Sequence, residues 1–368
     1  MKVIHIVLGK ANPNRMNGVN KVVHQLTMAQ HAAGIEVEIW GITPQLDTPV
    51  MARPFTTRLF KQQRWPFHHD AKLRAALRKE GQNLVVHFHG GFIPVFAGIA
   101  KQLRRLDIPY FVTAHGAYNA IAMHKSGHKK RFYFTFIESV FLKHSRAVHC
   151  IGASELEALN NLLPEAHGAL IPNGHDLENL KKRSLTPAKP FSFGFCGRLR
   201  AHTKGLDILL NAFAAYSQKE DGKLVIIGDG EDRETLEGMA KELGLGERVQ
   251  FLGARYGKEK DSLLAGIDVF LHPSRNEGMP GAVLEAAGLS VPVIISEATN
   301  LGKAVKEAKA GLVLSANTTR DLTQAMMEAR AAASTGALKT WARNARSMVA
   351  SQFAWKRIAA LHLNMYQS

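Results

Sequence analysis

The sequence predicts an α/β fold built on parallel sheets, and three observations carry that reading. Short apolar runs of strand length alternate with stretches of helical periodicity along nearly the whole chain, the pattern of repeated βαβ units. A segment rich in proline, glycine and basic residues, 172–190, separates two halves that share this alternation. At 368 residues and 46% apolar composition, the chain has room for two domains, each with a large core.

Each element follows from its pattern. Val3–Leu8 is a strand, and Val22, Val23, Leu26 and Ala29 give the spacing of a helix over 19–33, which Gly34 ends. Glu36–Ile42 is the next strand. The loop between the first strand and this helix lacks G-x-G-x-x-G, which disfavours a dinucleotide. Residues 51–80 are basic and aromatic. Strands follow at Val85–Phe88, Tyr110–Ala114, Ala147–Ile151 and Ala169–Ile171, with helices over 92–106 and 132–144. Ser154-Glu155-Leu156-Glu157 has the form of a capping box that opens another helix. In the second half, strands are expected at Phe191–Cys196, Leu224–Ile227, Val249–Leu252, Ile267–His272, Val293–Ile295 and Leu312–Leu314. Helical patterns fill the gaps, and Trp341–Tyr366 reads as largely helical and long enough to return to the first half.

The net charge of +16 admits nucleic acid, anionic lipid or a polyphosphate ligand. Residues 1–180 carry 21 Lys and Arg against 12 Asp and Glu, and the remainder carries 26 against 19, so the excess is diffuse. No zinc-knuckle, RNP-like or helix-turn-helix pattern accompanies it, and no nucleic-acid partner is expected. Cys150 and Cys196 both sit in apolar strand-like runs, which fits buried thiols in a reducing compartment. The opening run Met1–Val7 is too short for a signal peptide, and no run reaches the ~20 residues of a membrane span.

Chemistry concentrates at strand ends. In Pro273–Glu285 a strand runs into the turn Gly278-Met279-Pro280-Gly281 and then a helix, and Glu277 and Glu285 flank the turn. The first amides of a helix have no internal partner, so such a turn suits a phosphate, and the carboxylates suit sugar and ribose hydroxyls. The other reading is an ordinary crossover with two solvated glutamates. Gly197-Arg198-Leu199 followed by Lys204-Gly205 reads as a diphosphate clamp, or otherwise as a basic surface loop. His115 and His89 each follow a strand and precede glycine; His115 is the better candidate for a sugar hydroxyl. No Asp-x-Asp stands at a strand end, Asp229-Gly230-Glu231 reads as a turn, and Walker A, G-x-S-x-G, H-E-x-x-H and C-x-x-C are all missing.

Taken together these motifs resemble the family 4 retaining glycosyltransferases. The residues that carry the resemblance are Asn17-Gly18-Val19, Thr113-Ala114-His115-Gly116, Ile171–Asp176, Gly197-Arg198-Leu199 to Lys204-Gly205, Ile227–Gly230, Val249–Gly253, His272–Glu285 and the closing Phe353-Ala354-Trp355 with Tyr366. The resemblance implies the GT-B fold: two Rossmann-like domains with parallel sheets facing a central cleft, and a C-terminal helix returning to the N-terminal domain. It implies an acceptor-side domain of 1–172 plus about 355–368, a hinge at 173–189 and a nucleotide-sugar domain of 190–345. Arg198 and Lys204 would hold the donor diphosphate. Glu285 would bind ribose, Glu277 the transferred sugar, with the backbone of Gly18, Gly278, Met279 and Gly281 around phosphate and sugar. His115 would touch a sugar hydroxyl. No metal or other cofactor would be needed. The donor would be a UDP-sugar, with GDP-mannose the second choice. The acceptor would be a glycan or polyprenyl-linked lipid, handled at the cytoplasmic face of the inner membrane by a protein in peripheral contact with anionic lipid.

Two departures from the family pattern stand out: Asn17-Gly18 in place of Gly-Gly, and Ser290 where a glycine usually precedes the Val-Pro run. Two other readings stay open. The basic, aromatic segments 53–67 and 128–146 suit a membrane- or polyanion-binding scaffold without catalysis, and the fold suits a nucleotide-sugar epimerase, which the Glu277/Glu285 pattern disfavours.

Overall fold

A computed structural model describes residues 1–13, 18–47, 49–81, 83–118, 127–177 and 190–368. Asn17, most of the loop 119–130, and Lys181-Lys182-Arg183 with Pro187 of the expected hinge lie outside the described residues. The chain forms two compact units, Met1–Gly174 with Trp355–Ser368, and His175–Ala354.

In the first unit β1 (Lys2–Leu8), β2 (Glu36–Thr43), β3 (Thr56–Lys61), β4 (Leu84–His89), β5 (Tyr110–Thr113), β6 (Ala147–Cys150) and β7 (Gly168–Leu170) make a parallel sheet in the order β3-β2-β1-β4-β5-β6-β7. In the second, β8 (Ser192–Cys196), β9 (Lys223–Ile227), β10 (Val249–Phe251), β11 (Val269–His272), β12 (Val293–Ile295) and β13 (Gly311–Val313) pair in parallel as β10-β9-β8-β11-β12-β13. Two Rossmann-like parallel sheets are thus observed, as expected. The central strands are buried on both faces, which is why they read as near-continuous apolar runs: Val3, Ile4, Ile6 and Val7 in β1, and Phe193 and Phe195 in β8.

The apolar cores sit on either side of each sheet. Trp40, Phe88, Phe96 and Tyr110 build one in the first unit, and Phe193, Phe195, Phe213 and Tyr216 build one in the second. The stretch Trp341–Tyr366, expected to be largely helical, is divided between two helices. A helix over Ala337–Gln352 belongs to the second unit, the break falls at Phe353-Ala354, and a separate helix over Trp355–Gln367 packs on the first unit. Trp355, Ile358, Met365 and Tyr366 bury in a cluster with Val3, Leu26 and Phe111. Gly174 must be glycine for this docking, because a Cβ there would lie 2.3 Å from the Trp355 ring.

Some local expectations fail for identifiable reasons. The basic segment 51–80 contains an edge strand, β3, and a helix over Ala71–Lys79 capped by Asp70. The edge position leaves β3 half-exposed, so its sequence lacks a continuous apolar run. The capping box at 154–157 does not form. The helix begins at Ala153 with Gly152 at its N-cap, so Ser154 lies inside the first turn. Buried Glu155 instead accepts the N–H groups of Ile151 and Gly116.

Ser290 follows the helix Gly281–Gly288 at φ +64°, left-handed backbone that costs an L-residue with a side chain about 1–2 kcal/mol. Its departure from the usual glycine is therefore strained locally. Ser290→Gly is expected to raise stability by about 0.5–1 kcal/mol, the relief exceeding the added freedom of the unfolded chain. A urea midpoint unchanged or lowered in that variant would contradict this.

Candidate functional site

In each sheet the strand order reverses beside the first strand of the unit: between β1 and β4, and between β8 and β11. Loops leaving neighbouring strands there diverge, and the carboxyl ends of the strands open into a crevice where α/β proteins bind ligands. The reversal in the second unit falls between the loops 197–205 and 273–280, which carry five of the predicted residues: Arg198, Lys204, Glu277, Gly278 and Met279.

Glycine backbone brings those two loops together. Gly205 has φ +66°, and a Cβ on it would lie 1.9 Å from the Pro273 carbonyl oxygen. Polar ties hold the contact: Arg275 N–H and Ser274 Oγ–H both donate to the Thr203 carbonyl at 2.9 Å. The Arg275 guanidinium reaches Asp207 with two bonds of 2.7 Å and the His202 carbonyl with a third. The result sets Lys204 on Glu277, paired through Nζ and Oε1. The same Oε1 accepts from His272 Nε2 at 2.9 Å, and Ser274 Oγ, its proton given to Thr203, lies 3.2 Å away. Burial pushes the Glu277 carboxyl up, but the His272 hydrogen bond and the Lys204 charge reverse this and hold it at about 2. Burial keeps His272 below its ordinary value against the opposing pull of Glu277. Near neutrality His272 is therefore an uncharged donor and Lys204 supplies the positive charge. Glu277 is an ionised, acceptor-only group whose Oε1 is saturated and whose Oε2 has no partner among the described residues.

The turn after Glu277 is fixed by a residue with no sequence signal. Asn300, itself at φ +59°, donates through Nδ2 to the Glu277 and Gly278 carbonyls at 3.0 and 2.7 Å. Met279 packs against the apolar cluster beneath, and Gly281 opens the helix with Pro280 at its N-cap. Glu285, one turn along, pairs with Lys260 at 2.8 Å, both side chains mostly buried. Burial pulls the Lys260 ammonium down, yet the Glu285 carboxylate more than offsets it and leaves it raised. Arg198 is exposed and makes no ion pair among the described residues. The structure thus joins Lys204 to Glu277 and gives Glu285 a different cation. Arg198 stands on the same loop as Lys204, behind the close approach of Gly228 to the Gly197 carbonyl.

His115 and Gly18 belong to the first unit. Gly18 begins the helix Gly18–Ala32, exposed, with nothing within 4 Å of an added Cβ, so packing does not demand glycine there. His115 lies past β5 in a left-handed conformation, φ +53°, a strained setting typical of functional positions. The Glu155 carboxylate holds its turn through Gly116 N–H at 2.6 Å. Behind it the first unit buries five more histidines, His5, His87, His89, His149 and His362. Ring nitrogens of His5, His87 and His89 lie within 4.8 Å of one another, a possible metal trio. Each of those nitrogens, however, already has a hydrogen-bond partner, so the cluster reads as a polar network.

Two family descriptions match the chain in succession: Glycosyltransferase Family 4 over residues 16–179 and Glycosyl transferases group 1 over residues 176–348. The chain is 25% identical to D-inositol 3-phosphate glycosyltransferase of Saccharomonospora viridis, covering 95% of this chain and 89% of that one. It is 31% identical to GDP-mannose-dependent alpha-(1-6)-phosphatidylinositol monomannoside mannosyltransferase of Mycobacterium tuberculosis, over 43% of this chain and 42% of the other. Among solved structures, sucrose-phosphate synthase from Thermosynechococcus elongatus aligns over 100% of this chain and 98% of its own, with a TM-score of 0.78 and 21% identity.

The buried histidines make the first unit sensitive to acid. Burial lowers His5 and His149 to about 4 and His115 to about 3, against ~6.5 in an unfolded chain. Between those values the unfolded state binds protons that the folded unit refuses, so stability is lost as pH falls from about 6.5 toward 4. In the second unit one buried histidine, His272, acts in the same sense, and the Glu277 contribution disappears only as pH falls from ~4.3 toward 2. Hydrogen exchange corrected for intrinsic rate, followed from pH 7.5 to 4.5, is expected to show protection falling first in β1, β4 and β5. Equal or earlier loss in β8 and β11 would refute the assignment.

Proposed function

Because the chain belongs to the family 4 glycosyltransferases of GT-B type, we propose that it moves a hexose-type sugar from a nucleotide donor to a glycan or lipid-linked acceptor with retention of anomeric configuration. The observation that carries this reading is the Lys204–Glu277 pair at the strand-order reversal of the second sheet. It sets a cation suited to phosphate beside an acceptor-only carboxylate suited to hydroxyls. In this reading the donor diphosphate takes Arg198 and Lys204, with backbone N–H groups at Gly278, Met279 and Gly281 completing its surroundings. Glu277 Oε2 receives hydroxyl protons of the transferred sugar and Glu285 those of the ribose. As the sugar–phosphate bond breaks, charge grows on the leaving diphosphate, where the two cations stabilise it. The acceptor hydroxyl enters on the same face and passes its proton to the leaving oxygen, so no side-chain base and no metal is assigned. UDP-sugar is the donor favoured by the family resemblance; similarity to the GDP-mannose-dependent enzyme keeps GDP-mannose in view.

A panel of UDP-glucose, UDP-galactose, UDP-N-acetylglucosamine and GDP-mannose, read by released nucleotide, tests the proposal. Release from at least one donor is expected. Arg198→Ala and Lys204→Ala are each expected to lower kcat by about 100-fold in a folded protein, the scale of removing one preorganised charge from a developing anion. Near-normal turnover in both variants would remove the clamp, and no binding to any donor by calorimetry would favour the scaffold reading.

Membrane contact by the first unit is a further part of the proposal. No helix among the described residues is long and apolar enough to cross a membrane. Trp65, Phe132 and Phe136 are instead exposed at 70%, 66% and 63%. A cavity of about 730 Å³ on the same unit is lined by Phe67 and Phe136 together with Arg74, Arg78, Arg104 and Arg105. Aromatic side chains beside arginines suit an anionic headgroup layer. Co-sedimentation with phosphatidylglycerol vesicles is expected at low salt and lost in high salt or in Trp65→Ser/Phe132→Ser. Equal recovery on neutral vesicles, or none at low salt, would contradict it.

A further inference from the structure

The buried histidines of the first unit form one hydrogen-bonded chain, and its polarity is dictated from one end. His149 Nε2 lies 2.7 Å from the Ile171 carbonyl oxygen, which can only accept. That nitrogen must therefore carry the hydrogen, and the neutral ring leaves Nδ1 bare. Thr113 Oγ–H then donates to His149 Nδ1 at 2.7 Å, and the Thr113 oxygen receives His87 Nε2–H at 2.7 Å. His87 Nδ1 is left bare and takes the Tyr366 hydroxyl proton at 2.7 Å. The Tyr366 oxygen accepts from Gln30 Nε2 at 3.3 Å, which orients the amide so that Gln30 Oε1 receives His5 Nε2–H at 2.6 Å. His5 Nδ1 accepts His89 Nε2–H at 2.9 Å, and His89 Nδ1 accepts His115 Nε2–H at 3.2 Å. His362 lies beside the chain: its Nδ1–H is committed to the Ile358 carbonyl, and its Nε2 stands 3.4 Å from His149 Nδ1, two acceptors that do not bond.

We propose that this chain fixes the tautomer of His115, with Nε2–H directed to His89 and Nδ1 left as a hydrogen-bond acceptor. Every link between the Ile171 carbonyl and His115 has one allowed direction as long as the rings stay neutral. Burial keeps them so, holding all five core histidines and His115 below the ordinary imidazole value. His115 Nδ1 has no partner among the described residues. It can take a hydrogen bond from a hydroxyl and cannot give one, so it selects a group with a proton to donate. Gln30 and Tyr366, the latter on the C-terminal helix, act as positioning residues through the chain. Assigning the donating hydroxyl to a donor sugar rests on the proposed glycosyltransfer, whereas the tautomer itself does not.

The test separates these two. Histidine ¹⁵N long-range correlation spectra of the full chain at pH 7.5 report each tautomer without any substrate, and the His115 signals are identified by their loss in His115→Asn. The expected pattern is neutral Nε2–H rings at His5, His87, His89, His115 and His149, with Nδ1–H at His362 alone of the six. His115 or His89 in the Nδ1–H form, or averaging between tautomers, overturns the proposal. Tyr366→Phe removes the group that orients Gln30 without touching His115, and Gln30→Met removes the amide itself. Either, in whichever variant folds, is expected to turn the single His115 tautomer into a mixture. A roughly tenfold fall in kcat/KM is expected alongside, the scale of one mispaired hydrogen bond. An unchanged His115 signal in a folded variant refutes remote control of the ring. An altered signal with unchanged turnover leaves the tautomer chain standing and removes His115 from the reaction.

Discussion

The close approach of Gly205 to the Pro273 carbonyl is the contact on which the second unit's chemistry depends. Without it, Lys204 and Glu277 are residues on two separate crossover loops, 73 positions apart in sequence. The contact demands the absence of a side chain at 205 and a left-handed backbone there, a combination that glycine meets without strain. The loops then lock through main-chain carbonyls: Thr203 and His202 accept from Ser274 and Arg275. Backbone acceptors move little, so Lys204 and Glu277 inherit the rigidity of the sheet rather than the freedom of surface loops.

A similar economy governs the first unit. Parallel sheets bury both faces of their central strands, so a polar side chain on β1 or β4 has no water to turn to. His5, His87 and His89 are tolerated because each ring nitrogen finds a partner on a neighbouring strand or on the helices 18–32 and 355–367. An apolar core of the same shape would be at least as stable and far less dependent on pH. What the polar chain adds is direction. Hydrogen bonds between neutral imidazoles are asymmetric, and an asymmetry set at the Ile171 carbonyl persists to the turn at His115.

The parts of this architecture that were legible in sequence are those whose signal is local. Strand runs, helix periods and glycine turns are written within ten residues, and so are Gly197-Arg198-Leu199 and Glu277 to Glu285. What depends on register across the sheet was not legible. Arg275, Asn300 and Lys260 are ordinary polar residues until the order β8-β11-β12 sets them against Asp207, the Glu277 turn and Glu285. The histidines are scattered over more than 300 positions, and the pairing of β1 with β4, of β4 with β5 and of β5 with β6 brings them together. Glu155 carries no local sign of its role because its partner, the Gly116 amide, lies on a different strand end. β3 was missed because edge strands need not be apolar on both faces.

Each unit offers hydroxyl-bearing ligands the same chemistry by different means. Glu277 is an acceptor because it is ionised, held so by Lys204 and a neutral His272. His115 is an acceptor because its only proton is committed inward. An ionised carboxylate attracts any donor, charged or neutral, and its strength depends on keeping Lys204 close. A neutral imidazole adds no charge, so it distinguishes a hydroxyl by direction alone and does nothing to compete for the cations that a diphosphate requires. In the proposed transfer, disturbing Lys204 and disturbing the histidine chain need not have the same kinetic signature: the first would remove charge from a departing diphosphate, the second would misdirect a single uncharged contact.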